Sequence, residues 1–370
     1  MATRLFSSSE SKVLVERHSA ALTEWKLNAP KALNSVDTEM VNLMIDELKK
    51  WRTENDQKPR ALLMSGMGGK AFCAGGDIVS LYKAHTTPGA DKSILADFFA
   101  REYLLDYSLS QMRDTRQISL WNGICMGGGV GLTWHSPVRI ATDNSMYAMP
   151  ETAIGFFTDV GGSYFLSRVK GDISLGLYLG LTGQRVKSRD LVKWGIATHF
   201  IEQAKIPQLY TELTSGVSAQ STDSDIDAIV ASFSDASAAS EPIESLDEIR
   251  AIFQPDSIQA IMERLAAADT PFGEKTRKMM TYMSPLALSV VFEQIRRGAS
   301  MSAKDVFTME YGISQGFMNH TEFFEGVRAL LVDKDKNPQW KHANVNEVPP
   351  EEVNFFFDRE ETCNLEISQD

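Results

Sequence analysis

Cysteine is scarce in this 370-residue chain: there are three, Cys73, Cys125 and Cys363, with no C-x-x-C pair among them. So odd and sparse a set builds no disulfide framework and spells no zinc site, and it suits a reducing compartment. Long apolar runs are missing too; no stretch approaches the roughly 18 residues of a membrane span. Positive charge is in deficit, with 37 Lys and Arg against 49 Asp and Glu and a net charge of -12. Nucleic-acid binding needs a basic footprint, so this balance argues against a nucleic-acid partner. It leaves room for a phosphorylated ligand, which needs only a few local cations or backbone amides. The opening MATRLFSSSESKV has no apolar signal core, and reads as a short disordered lead rather than a targeting peptide.

What is present is an ordinary globular composition, 43% hydrophobic and 23% charged. At roughly 150 residues per domain, the length suggests two domains or one large core with an appendage. VLVERHSAALTEWKL reads as a pair of strands, and Pro30 makes NAPKALN a turn. Asp37 is placed to cap the helical pattern TEMVNLMIDELKKW. RALLMSG and QISLWNG are short buried strands that each end in glycine, VRIAT and MYAM are two more, and ILADFFAREYLLDYSLSQM is helical. This alternation predicts an α/β core over residues 1–205. Beyond it, SAQSTDSDIDAIVASFSDASAASEP is rich in Ser, Asp and Ala and is expected to include an exposed connector. From Ile243 the patterns are helical, which predicts a mainly helical C-terminal region over residues 206–370.

Two glycine clusters follow strands, SGMGGKAFCAGGDI at residues 65–78 and NGICMGGGVGL at residues 122–132. Glycine lets backbone approach a ligand with its N–H groups exposed, so two facing loops would give two donors to one developing oxyanion. The structural alternative is tight turns and close helix packing. Neither cluster is a nucleotide motif: Lys70 is followed by Ala71 rather than Ser or Thr, and Leu132 stands where G-x-G-x-x-G needs its last glycine. GISQG, residues 312–316, fits G-x-S-x-G, but its surroundings read as continuous helix rather than strand, turn and helix. His135, after the second glycine loop, reads as a packing residue. The chain's most pointed feature is YAMPETAIGFFTDVGGSYFL, which sets Glu151 and Asp159 in an apolar, glycine-rich run. Carboxylates there are costly unless paired, hydrogen-bonded or protonated. Either they serve chemistry in a cleft, or Asp159 caps a helix and Glu151 is a paired core acid.

In order and spacing, APKALN, KAFCAGGDI, GICMGGGVGL and PETAIGFFTDVGG resemble the crotonase (enoyl-CoA hydratase/isomerase) superfamily. The resemblance implies a spiral of ββα units with a helical C-terminal extension. It implies acyl-CoA substrates, with CoA part of the substrate and no metal or redox cofactor. The thioester oxygen would be held by the backbone N–H groups of Gly76 and Gly128. The catalytic glutamate falls on Glu151 and its partner aspartate on Asp159. Glu102 matches an acid that contacts the substrate's hydroxyl end; read alone, it would be a solvated helix residue. Hydratases of the superfamily carry a second glutamate where this chain has Gly131, and usually glycine where it has Asp159. That favours thioester hydrolysis, with 3-hydroxyisobutyryl-CoA and 3-hydroxypropionyl-CoA as expected substrates in valine breakdown. The rival readings are an enoyl-CoA isomerase working through Glu151 alone, and a non-catalytic relative in an assembly such as a mitochondrial ribosome. Thr158 replaces a common proline, which implies a less rigid loop. Ala29 replaces a common arginine, leaving Lys31 and Lys70 as candidate cations for the CoA phosphates. The resemblance allows a homo-oligomer. It implies a cytoplasmic location in a bacterium and the mitochondrial matrix in a eukaryote.

Overall fold

The computed structural model describes residues 11–54, 58–359 and 364–366. Most of the opening lead and Cys363 lie outside them. Strands β1 (Val13–Arg17) and β2 (Leu22–Leu27) pair antiparallel, with Val13 opposite Leu27. Asp37 caps α1 (Thr38–Thr53), its carboxylate accepting the Met40 amide at 2.9 Å. A long strand followed by a short one then recurs three times. These pairs are β3 (Ala61–Gly66) with β4 (Ala71–Cys73), β5 (Arg116–Trp121) with β6 (Ile124–Met126), and β7 (Val138–Ala141) with β8 (Met146–Ala148). Helices α2 (Ile78–Thr86) and α3 (Ile94–Ser110) separate the first pair from the second, and the single turn α4 (Gly128–Gly131) separates the second from the third. The long strands join one sheet, ordered β1-β2-β3-β5-β7-β10, and the short ones a second, ordered β4-β6-β8-β9. Beyond β8 lie α5 (Gly162–Leu166), α6 (Ile173–Thr182), β9 (Val186–Lys187), α7 (Asp190–Lys193) and β10 (His199–Phe200).

The large sheet is parallel apart from its β1 edge, and is therefore covered on both faces. Strand alternation divides its side chains: Leu62 and Met64 join one buried cluster, Ala61 and Leu63 the other. Helices α8 (Ile206–Gly216) and α9 (Asp223–Phe233) supply the second cover, through Ile206, Leu209, Leu213, Ile226 and Val230.

The Ser/Asp-rich stretch expected to include an exposed connector thus contains a docked helix. Its Ser, Thr and Asp supply turns and caps: Thr222 and Asp225 close a reciprocal capping box at the start of α9. The same helix is tied to the sheet by charge, Arg116 gripping Asp227 with two nitrogens and Arg60 reaching Asp223.

Seven further helices follow: α10 (Leu246–Ile252), α11 (Ile258–Ala267), α12 (Pro271–Tyr282), α13 (Pro285–Gly298), α14 (Ala303–Met318), α15 (Thr321–Val327) and α16 (Pro350–Asn354). GISQG lies inside α14, as its helical setting predicts. The larger buried cluster runs from Val13 to Leu365 and draws on both sides of residue 205. No described helix is long and apolar enough to cross a membrane.

Candidate active site

Each glycine loop ends in an amide aimed away from regular structure. Gly75 and Gly127 hold left-handed φ values of +113° and +45°, which only glycine adopts without strain, and each turns the next N–H outward. Neither the Gly76 nor the Gly128 amide donates to another described residue. The two are neighbours: a Cβ built on Gly128 would stand 3.5 Å from the Gly76 nitrogen.

Helix α3 crosses both loops with one residue per turn. Phe98, Glu102 and Asp106 share a face at i, i+4 and i+8. A Cβ on Gly76 would meet Phe98 at 3.3 Å, one on Gly128 would meet Glu102 Oε1 at 2.6 Å, and one on Gly131 would meet Asp106 Oδ2 at 2.5 Å. Side chains of α3 therefore crowd all three glycines, most tightly Gly131. At Gly131, Val160 closes the remaining space, its Cβ also 2.5 Å from the added atom.

Glu151 begins the 3₁₀ turn Glu151–Ile154, directly after β8 and Pro150. Its Oε1 lies 3.2 Å from where a Cβ on Gly127 would be, beside the loop that presents the Gly128 amide. Phe156 and Phe157 anchor the segment between the two acids. Phe156 packs on Phe99, Phe317 and Phe323, and Phe157 stacks on Phe317 at 5.8 Å. Asp159 follows, accepting the Tyr103 hydroxyl at 3.1 Å. It does not cap α5 with its side chain; Gly161 precedes that helix, and Asp159 contributes only its carbonyl, which accepts the Gly162 amide. The proline-like rigidity expected to be missing at Thr158 is supplied by Gln294 on α13. Its amide donates to the Thr158 carbonyl at 2.7 Å and hydroxyl at 3.1 Å.

Burial governs the electrostatics. Glu151 is pushed well above the usual carboxylate range by desolvation and then by the Asp159 charge. Asp159 is raised to about 7 by desolvation, which outweighs the Tyr103 hydrogen bond. Glu102 and Asp106 are also raised by desolvation, Glu102 further by Asp159 and Asp106 by Glu102 and Asp159. Glu151 and Asp159 are both buried, with 7% exposure each, and Asp106 has none. Glu102 Oε1, Glu151 Oε2 and both Asp106 oxygens lack a protein partner among the described residues. Buried acids that hold their protons more tightly than usual, set beside two free amides, can polarise a carbonyl, activate or replace a water, and return a proton.

The structure brings Gly76, Gly128, Glu102, Glu151 and Asp159 together. Glu102, read alone as a solvated helix residue, is buried. Lys31 and Lys70 are exposed, Lys70 on the first glycine loop and Lys31 in the Pro30–Ala32 turn that packs beside it. Asn34 fixes this exposed rim: its oxygen accepts the Ala29 amide and its nitrogen donates to the carbonyls of Met67 and Ala71. His135 bonds Gln117 at 2.9 Å and is pushed down to about 3 by burial, which fits a packing role. Sequence reasoning missed Asp106, Tyr103, Gln294 and Glu310. The signal for Asp106 was its i+4 spacing from Glu102. For Glu310 it was an acid on the apolar stripe Val306, Phe307, Ile313, Phe317 of α14.

This α/β architecture and amide pair define an acyl-thioester enzyme class, and the chain belongs to the enoyl-CoA hydratase/isomerase family, whose pattern matches residues 22–357. More narrowly, it is 41% identical over 336 residues to the mitochondrial 3-hydroxyisobutyryl-CoA hydrolase of Xenopus tropicalis, covering 90% of this chain and 85% of that one. The Dictyostelium discoideum protein of the same name is 39% identical over 362 residues, covering 96% and 93%. The human one is 40% identical over 342 residues, covering 90% and 84%. Among solved structures, a carnitinyl-CoA dehydratase from Mycobacterium thermoresistibile superposes with a TM-score of 0.84 at 32% identity, covering 96% of this chain and 99% of that chain. An enoyl-CoA hydratase from Rhodobacter sphaeroides 2.4.1 gives 0.82 at 32%, covering 95% and 98%. The fold is thus the crotonase fold with a helical C-terminal region.

Proposed function

We propose that this chain hydrolyses the thioester of 3-hydroxyisobutyryl-CoA to the free acid and CoA, a step of valine breakdown, and accepts 3-hydroxypropionyl-CoA as a second substrate. The Xenopus tropicalis, Dictyostelium discoideum and human relatives are all named 3-hydroxyisobutyryl-CoA hydrolase, which supports this reading. The observation that favours hydrolysis over hydration is the wall at Gly131. Asp106 and Val160 fill the place from which a hydratase's second glutamate would project, and Asp159, next to Val160 in the chain, supplies the partner acid instead.

In this reading the Gly76 and Gly128 amides bind the thioester oxygen and stabilise it as it gains charge. One such donor is worth about 10²–10³ in rate. Glu151, ionised, either attacks the carbonyl to give a mixed anhydride that water then opens, or takes a proton from the attacking water. In both routes the carbon–sulfur bond breaks and CoA leaves as the thiol after gaining a proton. Asp159, held by Tyr103, orients Glu151 or the water and passes that proton. Glu102 receives the 3-hydroxyl of the acyl group, and Lys31 and Lys70 meet the CoA phosphates at the rim. Oxygen-18 from labelled water entering Glu151 in a single turnover marks the anhydride route; oxygen-18 in the product acid alone marks the base route. For the compartment, we assign the mitochondrion if the source cell is eukaryotic, as in the relatives' names, and the cytoplasm if it is bacterial.

The test is thiol release from a panel of short 3-hydroxyacyl-CoAs, run beside hydration and double-bond migration of the matching enoyl-CoAs. The reading predicts thiol release as the fastest reaction, with 3-hydroxyisobutyryl-CoA preferred. Faster hydration or isomerisation would contradict it and favour the lyase or isomerase reading.

A further inference from the structure

The turn carrying Asp159 is held in a conformation its own sequence disfavours. Val160 has φ +55°, a left-handed value that a β-branched residue adopts only under constraint, and Gly161 follows at φ +86°. The constraint comes from the C-terminal helices. Glu310, wholly buried on α14, accepts the Gly161 amide at 2.7 Å and the Ser163 amide at 2.8 Å, one on each carboxylate oxygen. Gln294 on α13 donates to the Thr158 carbonyl and to the Ser163 hydroxyl, the latter at 3.1 Å. The strained residue is thus clamped on both sides, and Asp159 lies inside the clamp.

Helix α14 also controls the other contact of Asp159. Phe307, one turn before Glu310 on the same face, packs on the ring of Tyr103 at 5.9 Å, and Tyr103 donates to Asp159. One helix face therefore fixes both the backbone that carries this carboxylate and the hydroxyl that bonds it. The α5 amides alone would be satisfied by an Asp or Thr cap from the turn itself, as at α1 and α9. A distant carboxylate on an apolar helix stripe, with no ion pair to a described residue, is an expensive way to cap a five-residue helix. Desolvation pushes Glu310 up to about 8 in spite of its two backbone donors.

We propose that Glu310, assisted by Gln294, is a positioning residue for the hydrolysis: it holds the 158–163 turn in its left-handed form and thereby aims Asp159 at Glu151 and the thioester. The inference rests on the reading of Asp159 given above. It makes the C-terminal helices part of the catalytic machinery.

The test is a double-mutant cycle on thiol release from 3-hydroxyisobutyryl-CoA, using Glu310→Gln, Asp159→Asn and the double variant, with melting temperature and KM measured for each. Glutamine keeps one acceptor and sets its NH₂ against the second amide, so the turn loses its clamp while the core keeps its volume. The proposal predicts a fall in kcat of about 10²-fold for Glu310→Gln, as for a misplaced catalytic group. KM should change by less than about threefold, and in the Asp159→Asn background the same substitution should cost less than about threefold. Full additivity, with the same factor lost in both backgrounds, would overturn the proposal and leave Glu310 as a cap. An Asp159→Asn variant as active as the native enzyme would overturn the reading of Asp159, and the proposal with it. If Glu310→Gln does not fold, Gln294→Leu serves in the same cycle, with a smaller loss in kcat that should likewise vanish beside Asp159→Asn.

Discussion

At residue 131, one missing side chain separates two chemistries. Hydration across a double bond relies on two carboxylates flanking the water, and the second would have to project from residue 131. Here Asp106 Oδ2 and Val160 Cβ each lie 2.5 Å from where its Cβ would begin. Gly131→Glu alone should therefore create no hydratase; it should lower the melting temperature and abolish thiol release, because Val160 cannot move without Asp159. Hydration of crotonyl-CoA by the single variant would show that the wall is soft. Asp159 carries a second prediction. Its carboxyl is raised to about 7 by burial, and in the proposed reading, as an orienting base, it works ionised. Glu151 must also be ionised and is raised in part by the Asp159 charge, so thiol release should rise with pH above the ordinary carboxylate range, and Asp159→Asn should lower the rate and move the rise to lower pH. An unchanged profile in the variant would assign the ionisation to another group. At this scale the sequence was most legible where a residue type is out of keeping with its surroundings. Glu151 and Asp159 stood out as acids in an apolar run, and Gly76 and Gly128 through the glycine clusters. Asp106 and Tyr103 were not, since their roles arise from the face of α3 that meets those loops.

Among elements, the segment from Glu151 to Asp159 depends on aromatic anchors. Phe157 is fully buried and stacked on Phe317 of α14, so Phe157→Ala should destabilise the fold by about 3–5 kcal/mol. Because the lost contact lies between the two acids, kcat should fall further than the loss of folded protein explains. Thiol release per folded molecule, set against a denaturant melt, checks this; a variant that is less stable but fully active per folded molecule would separate the anchor from the site. Strand and helix periodicity was readable in the sequence through β8, because hydrophobic alternation and glycine-terminated strands are local signals. Helix α9 was obscured by a composition that resembles a linker, although its Thr222–Asp225 box was a local start signal. The clamp of Gln294 and Glu310 on residues 158–163 was beyond reach, since it joins positions 131 to 149 residues apart.

Across the whole molecule, buried acids set the response to pH. Glu102, Asp106 and Glu151 are raised above the ordinary carboxylate range, Asp159 to about 7 and Glu310 to about 8, chiefly by desolvation. A group whose folded value exceeds its unfolded one binds its proton more tightly in the native state. Its stabilising contribution is complete below the unfolded value and lost as pH rises through the folded value. Buried His135, lowered to about 3, acts in the opposite sense below about pH 6.5, so the melting temperature of the free enzyme should fall between about pH 6.5 and about pH 9. Asp106→Asn, which removes one such group at nearly constant volume, should flatten the fall. Surface carboxylates lowered by arginine neighbours, such as Glu325 beside Arg328, act in the opposite sense, but only below the ordinary carboxylate range. A melting temperature that rises or stays level over that interval would contradict the account. At this scale the α/β class and the helical C-terminal region followed from the sequence, whereas a core shared across residue 205 emerges only from packing.

The central claim is that Glu151 performs thioester cleavage beside the amides of Gly76 and Gly128. Its most direct test is the rate of CoA thiol release from 3-hydroxyisobutyryl-CoA by Glu151→Gln against the native enzyme, with folding checked by melting temperature. The account predicts a loss of about 10²–10⁴-fold, with a melting temperature equal to or above the native one, since a neutral amide avoids burying charge. A well-folded Glu151→Gln variant that releases thiol within a few-fold of the native rate would contradict it.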